Sequence, residues 1–246
     1  MRSYGLTFSQ RHLAPPTSEE WDQLVYAIRG VLTVRTSVGS WVVPPHRAVW
    51  LPANTVYGLQ MSGETALRMI YLRKRSHEQT PDAFDRTRCA VVSVSPLLRE
   101  LILRTVKIGA LEAQSEHHQR LAGLIEDEVK TVGTVPLQLP YPLSPLGQRF
   151  VVEIDGQLGS PLNLAEALCQ CGASRRTMER VFRLETGMSL GQWIRRRKLL
   201  FGLECLLNGA TASDIAFKLG YNSPSAFIAM FKRELGSTPG DYLAKH

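Results

Sequence analysis

Cysteine is scarce in this sequence, and long apolar runs are absent. The four cysteines in 246 residues, Cys89, Cys169, Cys171 and Cys205, have neither the density of a disulfide-stabilised secreted domain nor the two-pair spacing of a zinc site. No stretch approaches the roughly eighteen apolar residues of a membrane-spanning helix, and the residues after Met1 lack the apolar core of a signal peptide. We therefore expect a cytoplasmic protein with no membrane partner.

Acidic residues are also scarce in the C-terminal third, which carries most of the positive charge. Residues 161–246 contain 12 Lys and Arg against 7 Asp and Glu, whereas residues 1–160 contain 17 against 15. The net charge of the chain is +7. A basic excess on a short region favours a polyanionic partner, although an ordinary solvated surface would have the same composition.

Residues 24–73 consist of short apolar runs that are separated by turn residues every eight to ten positions. The runs are rich in Val, Ile, Trp and Tyr, which pack well on the face of a sheet. This pattern predicts an antiparallel β-barrel or sandwich with turns at Gly30 and Gly39. The predicted strands cover residues 24–28, 31–35, 41–43, 48–51, 56–61 and 66–72, with a further strand over 89–94.

The hydrophobic period changes after residue 94 and indicates two amphipathic helices. Ser95 is a predicted N-cap and Pro96 a predicted first helical residue, so a helix is expected over 95–108. A second helix is predicted over 115–131. The apolar stripes are Leu98, Leu101, Ile102 and Thr105 in the first helix, and Leu121, Leu124, Ile125 and Val129 in the second.

The segment 133–147 is rich in proline. Because proline fixes φ and removes a backbone donor, this segment is predicted to be an interdomain linker that supports neither a helix nor a central strand. The linker would separate a domain over 1–94 and a helical element over 95–132 from a second domain over 148–246. The prolines are Pro136, Pro140, Pro142 and Pro145.

The second domain contains an internal duplication. Identical residues recur 49 positions apart, and one pair of glycines recurs with a slip of one residue. Four identities at one offset are improbable by chance, so two copies of one structural unit are predicted. The pairs are Ser174 with Ser223, Phe182 with Phe231, Glu185 with Glu234, Gly187 with Gly236, and Gly172 with Gly220.

Each copy has the pattern of a helix-turn-helix unit. A short capped helix leads into a glycine, Gly172 or Gly220, where the chain must turn with a positive φ. A second helix then begins at a serine cap, Ser174 or Ser223. The first helices are capped by Asn163 with Glu166 and by Thr211 with Asp214, and Pro224 is the first residue of the second helix in the second copy.

The second helix of each copy is predicted to bind DNA. Its buried face holds Met178 with Phe182, or Phe227 with Phe231, and its other face is free to enter a major groove. Arginine there can bind guanine or phosphate, and the serine caps suit phosphate. An ordinary exposed helix face would also be polar, but the duplication argues against that interpretation. The outward residues are Arg175, Arg176, Thr177, Glu179, Arg180 and Arg183 in the first copy, and Pro224, Ser225, Ala226, Ile228, Ala229 and Lys232 in the second.

A helix between the two copies is predicted to hold the recognition helices apart. Ser189 with Gln192 caps its start, and it ends at Asn208 and Gly209. If both recognition helices contact one face of a duplex, about 34 Å, or one DNA turn, should separate them. The basic residues Arg195, Arg196 and Arg197 of this helix are predicted phosphate contacts.

Five segments carry a resemblance to a known family: 187–193, 214–216, 220–227, 231–233 and 236–239. They resemble the DNA-binding domain of the AraC/XylS-type transcription regulators, almost without a gap over 160–246. The resemblance implies base contacts by Arg176, Glu179 and Arg180 in the first copy, and by Ser225, Ala226 and Ala229 in the second. Alanine cannot form a hydrogen bond with a base edge, so specificity is expected mainly in the first copy, with Lys218 and Lys232 contacting phosphates.

Residues 39–53 resemble, more weakly, the cupin-type barrel that many members of this family carry. Tyr57 stands where a metal-binding histidine is expected, and no His-x-His pattern precedes the first hairpin, so no metal or other cofactor is predicted. The domain is expected to bind a small-molecule effector, and the helices over 95–132 to form a homodimer. RNA polymerase is a further expected partner. Candidate ligand-binding residues are Trp21, Tyr26, Trp41, Trp50, Tyr57, Met69 and Tyr71.

The expected fold is an α+β multidomain protein. It joins a cupin-like antiparallel barrel with flanking helices to an all-α domain that has two helix-turn-helix units and a linker helix. An enzyme is not expected, although a metal-dependent cupin enzyme and a protein-interaction module stay open as alternatives for the first domain. The stripes of the two helices after the barrel indicate either a dimer interface or a cover for the barrel.

Overall fold

The computed structural model describes residues 1–8, 12–13, 19–73 and 84–244. The chain divides into two compact units. The sheet unit comprises Met1–Thr36 and Trp41–Gln138, and the helical unit comprises Ser37–Ser40 and the chain from Leu139 onwards. No helix in the described part of the chain is long and apolar enough to cross a membrane.

The sheet unit is built on antiparallel strands. Their order in the sheet is β1-β6-β3-β5-β7-β8, while β2 pairs with β6 and β4 pairs with β3. The predicted strand over 89–94 is confirmed as β7, but β1 has no counterpart in the prediction. The strands are β1 (Arg2–Phe8), β2 (His12–Leu13), β3 (Trp21–Thr36), β4 (Gly39–Val43), β5 (Arg47–Leu51), β6 (Gly58–Arg73), β7 (Ala90–Ser93), β8 (Thr134–Val135) and β9 (Gln138–Pro140).

Strand β3 continues through the turn predicted at Gly30, so that prediction is wrong. Gly30 has a φ of +78°, and the register of β3 against β6 shifts between Ala27 and Val31. A Cβ at Gly30 would lie 2.5 Å from the Thr65 Oγ1. The glycine therefore forms a β-bulge that bends the strand without ending it. The break predicted between residues 61 and 66 is also wrong, because β6 runs through it without interruption.

Helices α1 (Pro96–Ile108) and α2 (Glu116–Thr131) begin at the serine caps Ser95 and Ser115. Their apolar stripes pack into one cluster with residues of the sheet, so in this chain the stripes cover the sheet. Leu124 is the exception among the predicted stripe residues, since it is 49% exposed. The sheet residues of this cluster include Leu24, Tyr26, Trp50, Ile70 and Val92.

The helical unit begins inside the segment that was predicted as a linker. Pro145 is the first residue of α3, and the Ser144 Oγ accepts the Gly147 N–H at 3.3 Å. Proline is tolerated there because the first N–H groups of a helix have no helical partner. Strands β8 and β9 also lie within 133–147, so the segment has more regular structure than its prolines predict.

The predicted N-cap residues and glycine turns of the helical unit are confirmed, although Glu166 does not complete a capping box with Asn163. Asn163, Ser174, Ser189, Thr211 and Ser223 each accept a hydrogen bond from a backbone N–H of the following first turn. Gly172 and Gly220 have φ values of +62° and +70°. The helices are α3 (Pro145–Gln157), α4 (Leu164–Gln170), α5 (Arg175–Thr186), α6 (Leu190–Leu207), α7 (Ala212–Lys218), α8 (Pro224–Leu235) and α9 (Pro239–Ala244).

Aromatic side chains form the core of the helical unit in both copies of the repeat. The Phe182 ring lies 5.5 Å from Phe150 and 5.0 Å from Trp193, both with edge-to-face geometry. In the second copy the Phe227 and Phe231 rings lie 5.8 Å apart. Edge-to-face pairs contribute about 0.5–1.5 kcal/mol beyond their buried area. The predicted core residues Met178, Phe182, Phe227 and Phe231 are all 0% exposed.

Candidate nucleic-acid interface

The buried face of α5 determines which of its side chains point to solvent. Met178 and Phe182 hold the helix against the core, and the Ser174 Oγ accepts the Thr177 N–H at 3.1 Å to fix its N-terminus. The four arginines of the opposite face are exposed, whereas Thr177 and Glu179 are half-buried. The arginines are Arg175, Arg176, Arg180 and Arg183.

Five of the predicted DNA-binding residues of α5 surround one open concavity of about 550 Å³. Three guanidinium groups and one carboxylate line it, so its net charge is positive. None of the ion pairs found among the described residues involves these arginines. The concavity can therefore accept an anion or a base edge without losing an internal ion pair. Its lining residues are Arg176, Thr177, Glu179, Arg180 and Arg183.

Glu179 differs from the other lining residues because its carboxylate has a backbone partner. The Glu179 Oε2 accepts the Leu190 N–H at 3.1 Å, and Leu190 is the first residue of α6. The predicted role of Glu179 in base contact therefore competes with a bond that joins α5 to α6.

The matching face of α8 is nearly neutral. Ser225, Ala226 and Ala229 are exposed, and Ile228 is half-buried. The Ser223 Oγ accepts the Ala226 N–H at 3.2 Å, which places the N-terminus of α8 as Ser174 places that of α5. The exposed lysines beside this face are Lys218, at the end of α7, and Lys232, on α8.

The three consecutive arginines of α6 have different environments. Arg195 is exposed, while Arg196 is half-buried and burial lowers its pKa. Arg197 is only 7% exposed, and its Nε lies 2.6 Å from the Asp155 Oδ1 of α3. Burial lowers the pKa of Arg197, but the charge and hydrogen bond of Asp155, together with Glu204 and Tyr141, leave that pKa raised.

The prediction that Arg197 contacts phosphate is therefore wrong. A helix has 3.6 residues per turn, so Arg197 shares the buried face of α6 with Trp193 and Leu200. Its guanidinium forms an internal ion pair that joins α6 to α3. Helix α3 supplies the carboxylate partner, which the Arg-rich run in the sequence does not reveal.

Two further polar side chains, which no sequence pattern predicts, position the helices. The Lys198 Nζ donates to the Leu219 carbonyl at 2.7 Å and lies 5.5 Å from the Tyr221 ring. The Glu185 Oε2 accepts the N–H groups of Leu143 and Ser144 at 2.8 and 2.9 Å. Hydrogen bonding, chiefly from the Ser144 amide, lowers the pKa of Glu185. The recurrence of Glu185 as Glu234 was the only sequence signal at either position.

The candidate effector residues of the sheet unit do not share one face. Tyr71 pairs in register with Gln23, and the Tyr57 hydroxyl donates to the Gln23 Oε1, so these three lie together. Burial raises the pKa of Tyr57. Trp21 lies on the same face of β3 as Gln23, because the two residues are two positions apart. Met69 also lies on this face, since Met69 pairs with Val25 of β3.

Tyr26 and Trp50 are on the opposite face, so the prediction that they line a shared pocket is wrong. Both belong to the cluster that packs against α1 and α2. The Trp50 Nε1 donates to the Arg86 carbonyl at 3.0 Å, and the Tyr26 hydroxyl lies 3.3 Å from the His46 Nδ1. Trp41 is 1% exposed and its Nε1 has no hydrogen-bond partner within the described structure. No cluster of metal-ligating side chains occurs among the described residues.

Comparison with known proteins identifies the family. A sequence model described as a helix-turn-helix domain matches residues 168–245. The HTH-type transcriptional regulator NimR of Escherichia coli strain K12 is 32% identical over 228 residues, which cover 91% of this chain and 80% of NimR. This chain belongs to the AraC-type transcription regulators. It is therefore a sequence-specific DNA-binding protein that regulates transcription.

Two further comparisons match about two fifths of this chain. Regulatory protein SoxS of Salmonella typhimurium is 36% identical over 96 residues, which cover 39% of this chain and 90% of SoxS. The DNA-binding domain of AdpA, solved in complex with a target DNA, is 28% identical and covers 42% of this chain and 92% of that one, with a TM-score of 0.37. The family match at 168–245 includes the whole of α5, α6, α7 and α8, the elements that carry the candidate interface.

Proposed function

We propose that this AraC-type regulator reads DNA with two helix-turn-helix units, α4 with α5 and α7 with α8. Helices α5 and α8 enter two adjacent major grooves of double-stranded DNA, and α6 is the linker helix between the units. The observation that carries this proposal is the positive concavity on α5, whose lining arginines point away from the core. Arginine there can form paired hydrogen bonds with guanine.

The two units read DNA by different chemistry. In the first, Arg176 and Arg180 contact base edges, while the other polar residues bind the backbone: Ser174, Arg175, Thr177, Arg183, Arg195 and Arg196. In the second, Ala226 and Ala229 make apolar contact with thymine methyl groups, and Ser225 contacts a base edge through its hydroxyl. Ser223, Lys218 and Lys232 contact phosphates. Sequence specificity is therefore concentrated in the half-site of the first unit.

The N-terminal part of the chain regulates this DNA binding. We assign residues 1–94 to a cupin-like barrel that binds a small-molecule effector, 95–132 to a homodimerisation element and 148–246 to the DNA-binding domain, whose first helix already begins at Pro145. The buried polar face around Gln23, Tyr57 and Tyr71 supports an effector site, and the exposed Leu97 and Leu124 of α1 and α2 support a dimer contact. The regulator acts in the cytoplasm with RNA polymerase.

Selection of binding sites from a random duplex pool tests the DNA-reading proposal. Purified full-length protein at physiological salt should enrich two sequence blocks about one helical turn apart. The block bound by the first unit should be the sharper one. A single block, or two equally sharp blocks, would contradict the division of labour between α5 and α8. If nothing is enriched without an effector but a thermal-shift screen finds one, the selection is repeated with that compound.

A further inference from the structure

Glu179 lies among the DNA-facing residues of α5, yet its carboxylate is held by the next helix. Its Oε2 accepts the N–H of Leu190, the first residue of α6, at 3.1 Å. The first N–H groups of a helix have no partner inside that helix, and partial positive charge gathers at this end. Both the hydrogen bond and the helix dipole therefore hold the carboxylate at the N-terminus of α6.

The environment of Leu190 makes this bond costly to break. Leu190 is 1% exposed. A glutamate reads DNA by accepting a hydrogen bond from the cytosine amino group. If Glu179 turned toward a base in this way, the Leu190 N–H would lose its acceptor in a site with little access to water, and an unsatisfied buried donor is destabilising.

A second side-chain contact joins α6 to the other unit. The Nζ of the half-buried Lys198 donates at 2.7 Å to the carbonyl of Leu219, the C-cap residue of α7. The last carbonyls of a helix lack helical partners and carry partial negative charge, which an ammonium group complements. Helix α6 is thus bonded to α5 at its own N-terminus and to the end of α7 from its middle.

We propose that Glu179 is a positioning residue that reads no base. It fixes the angle between α5 and α6 and, together with Lys198, the separation of the two DNA-reading helices. The inference rests on the proposed insertion of α5 and α8 into adjacent grooves. Its consequence is that Glu179 controls which spacing of half-sites the regulator accepts, while the arginines around it control which bases it accepts.

Two substitutions at one position separate these roles. Glu179→Gln and Glu179→Ala both remove the negative charge, but only glutamine keeps an oxygen that accepts the Leu190 N–H. Full-length variants are titrated against the selected wild-type site, against duplexes with the two blocks one base pair closer or farther apart, and against single-base variants of the first block. Glu166→Ala, which removes an exposed carboxylate from α4, is the charge-matched control.

For the wild type, Glu179→Gln and Glu166→Ala, we expect a changed spacing to weaken binding by about tenfold or more, comparable to a mismatched base pair. For Glu179→Ala we expect the spacing penalty to shrink to less than about threefold, with the ranking of single-base variants unchanged. A loss of folded protein would lower affinity for every duplex equally, so it cannot produce this change in ratio.

The inference is overturned if Glu179→Ala changes base preference at a position in the first block and keeps the full spacing penalty. It is also overturned if glutamine and alanine relax the spacing equally. If circular dichroism shows that Glu179→Ala does not fold, Lys198→Met decides, and it should relax the spacing as well. If the wild type selects no two-block site, the proposed two-groove reading fails first, and that outcome is visible before any variant is compared.

Discussion

Helix α5 presents arginines around a positive concavity, whereas the equivalent face of α8 presents serine, alanine and a single lysine. Behind these surfaces the two helices are alike, since Phe182 and Phe231 occupy the same place in the repeat and both are fully buried. The core also contains one difference, Met178 against Phe227, but all six outward-facing positions differ between the copies. Both copies therefore bury an aromatic core, but the side chains that face DNA are mostly charged in the first copy and mostly small or apolar in the second.

The shared core gives the largest expected effect. Phe182→Ala and Phe231→Ala should each lower the free energy of unfolding by about 3–5 kcal/mol, because each removes a fully buried aromatic ring and leaves a cavity. Chemical denaturation of the two variants measures the comparison directly. A loss confined to one variant would show that the two copies do not share equally in the core, in spite of their equal burial.

Loss of the ion pair between Arg197 and Asp155 gives the next largest expected effect on stability. Asp155→Ala should lower the free energy of unfolding by about 3–5 kcal/mol, because it leaves a buried guanidinium without its carboxylate. Arg195→Ala is the matched control on the exposed side of α6 and should change stability by less than about 0.5 kcal/mol. It should instead reduce the slope of log K against log salt by about 0.9 if Arg195 contacts a phosphate.

These two arginines also show how far the sequence could predict the site. Caps such as Ser174 and turns such as Gly172 depend on residues within three or four positions, so local patterns predict them correctly. The ion pair of Arg197 depends on Asp155 of α3, which lies 42 positions away in the chain, and no local pattern reveals that partner. The contacts of Glu179 and Lys198 were missed for the same reason.

In the sheet unit, too, pairing between distant strands decides features that local patterns predict incorrectly. A glycine between two apolar runs, such as Gly30, predicts a turn. In the structure β3 pairs with β6 on both sides of Gly30, so the glycine forms a bulge within one strand. Aromatic residues predicted to line one pocket divide between two faces, because strand side chains alternate. Tyr26 and Tyr71 are therefore separated by register, which local composition does not reveal.

Base contact by the first unit gives a smaller effect that sharpens the comparison between α5 and α8. Arg176→Ala should lower affinity for the selected site by about 1–3 kcal/mol and relax preference at one position of the first block. Ser225→Ala, at the corresponding surface of the second unit, should change both quantities less. Site selection with each variant measures the preference. If Arg176→Ala instead lowers the affinity for every DNA sequence equally, Arg176 contacts a phosphate and not a base.

The smallest expected effect concerns the one duplicated acid whose contacts differ between the copies. Glu185 accepts the N–H groups of Leu143 and Ser144 ahead of α3, whereas Glu234 forms an ion pair with its neighbour Arg233. Because these donors lower the pKa of Glu185 in the folded state, its carboxylate stabilises the fold at a pH above the unfolded pKa of about 4.3. This contribution is lost as the pH falls through the lower, folded pKa.

Glu185→Gln should therefore lower the melting temperature at pH 7, and its difference from the wild type should shrink as the pH falls from about 5 toward 3, where the wild-type carboxylate is protonated. Calorimetric melting curves across this range measure the difference. Glu234→Gln is the matched control, because it removes a carboxylate at the equivalent repeat position that accepts no hydrogen bond from a backbone amide of the described residues. A difference between Glu185→Gln and the wild type that stays constant with pH would mean that packing, and not the charged hydrogen bonds, accounts for the contribution of Glu185.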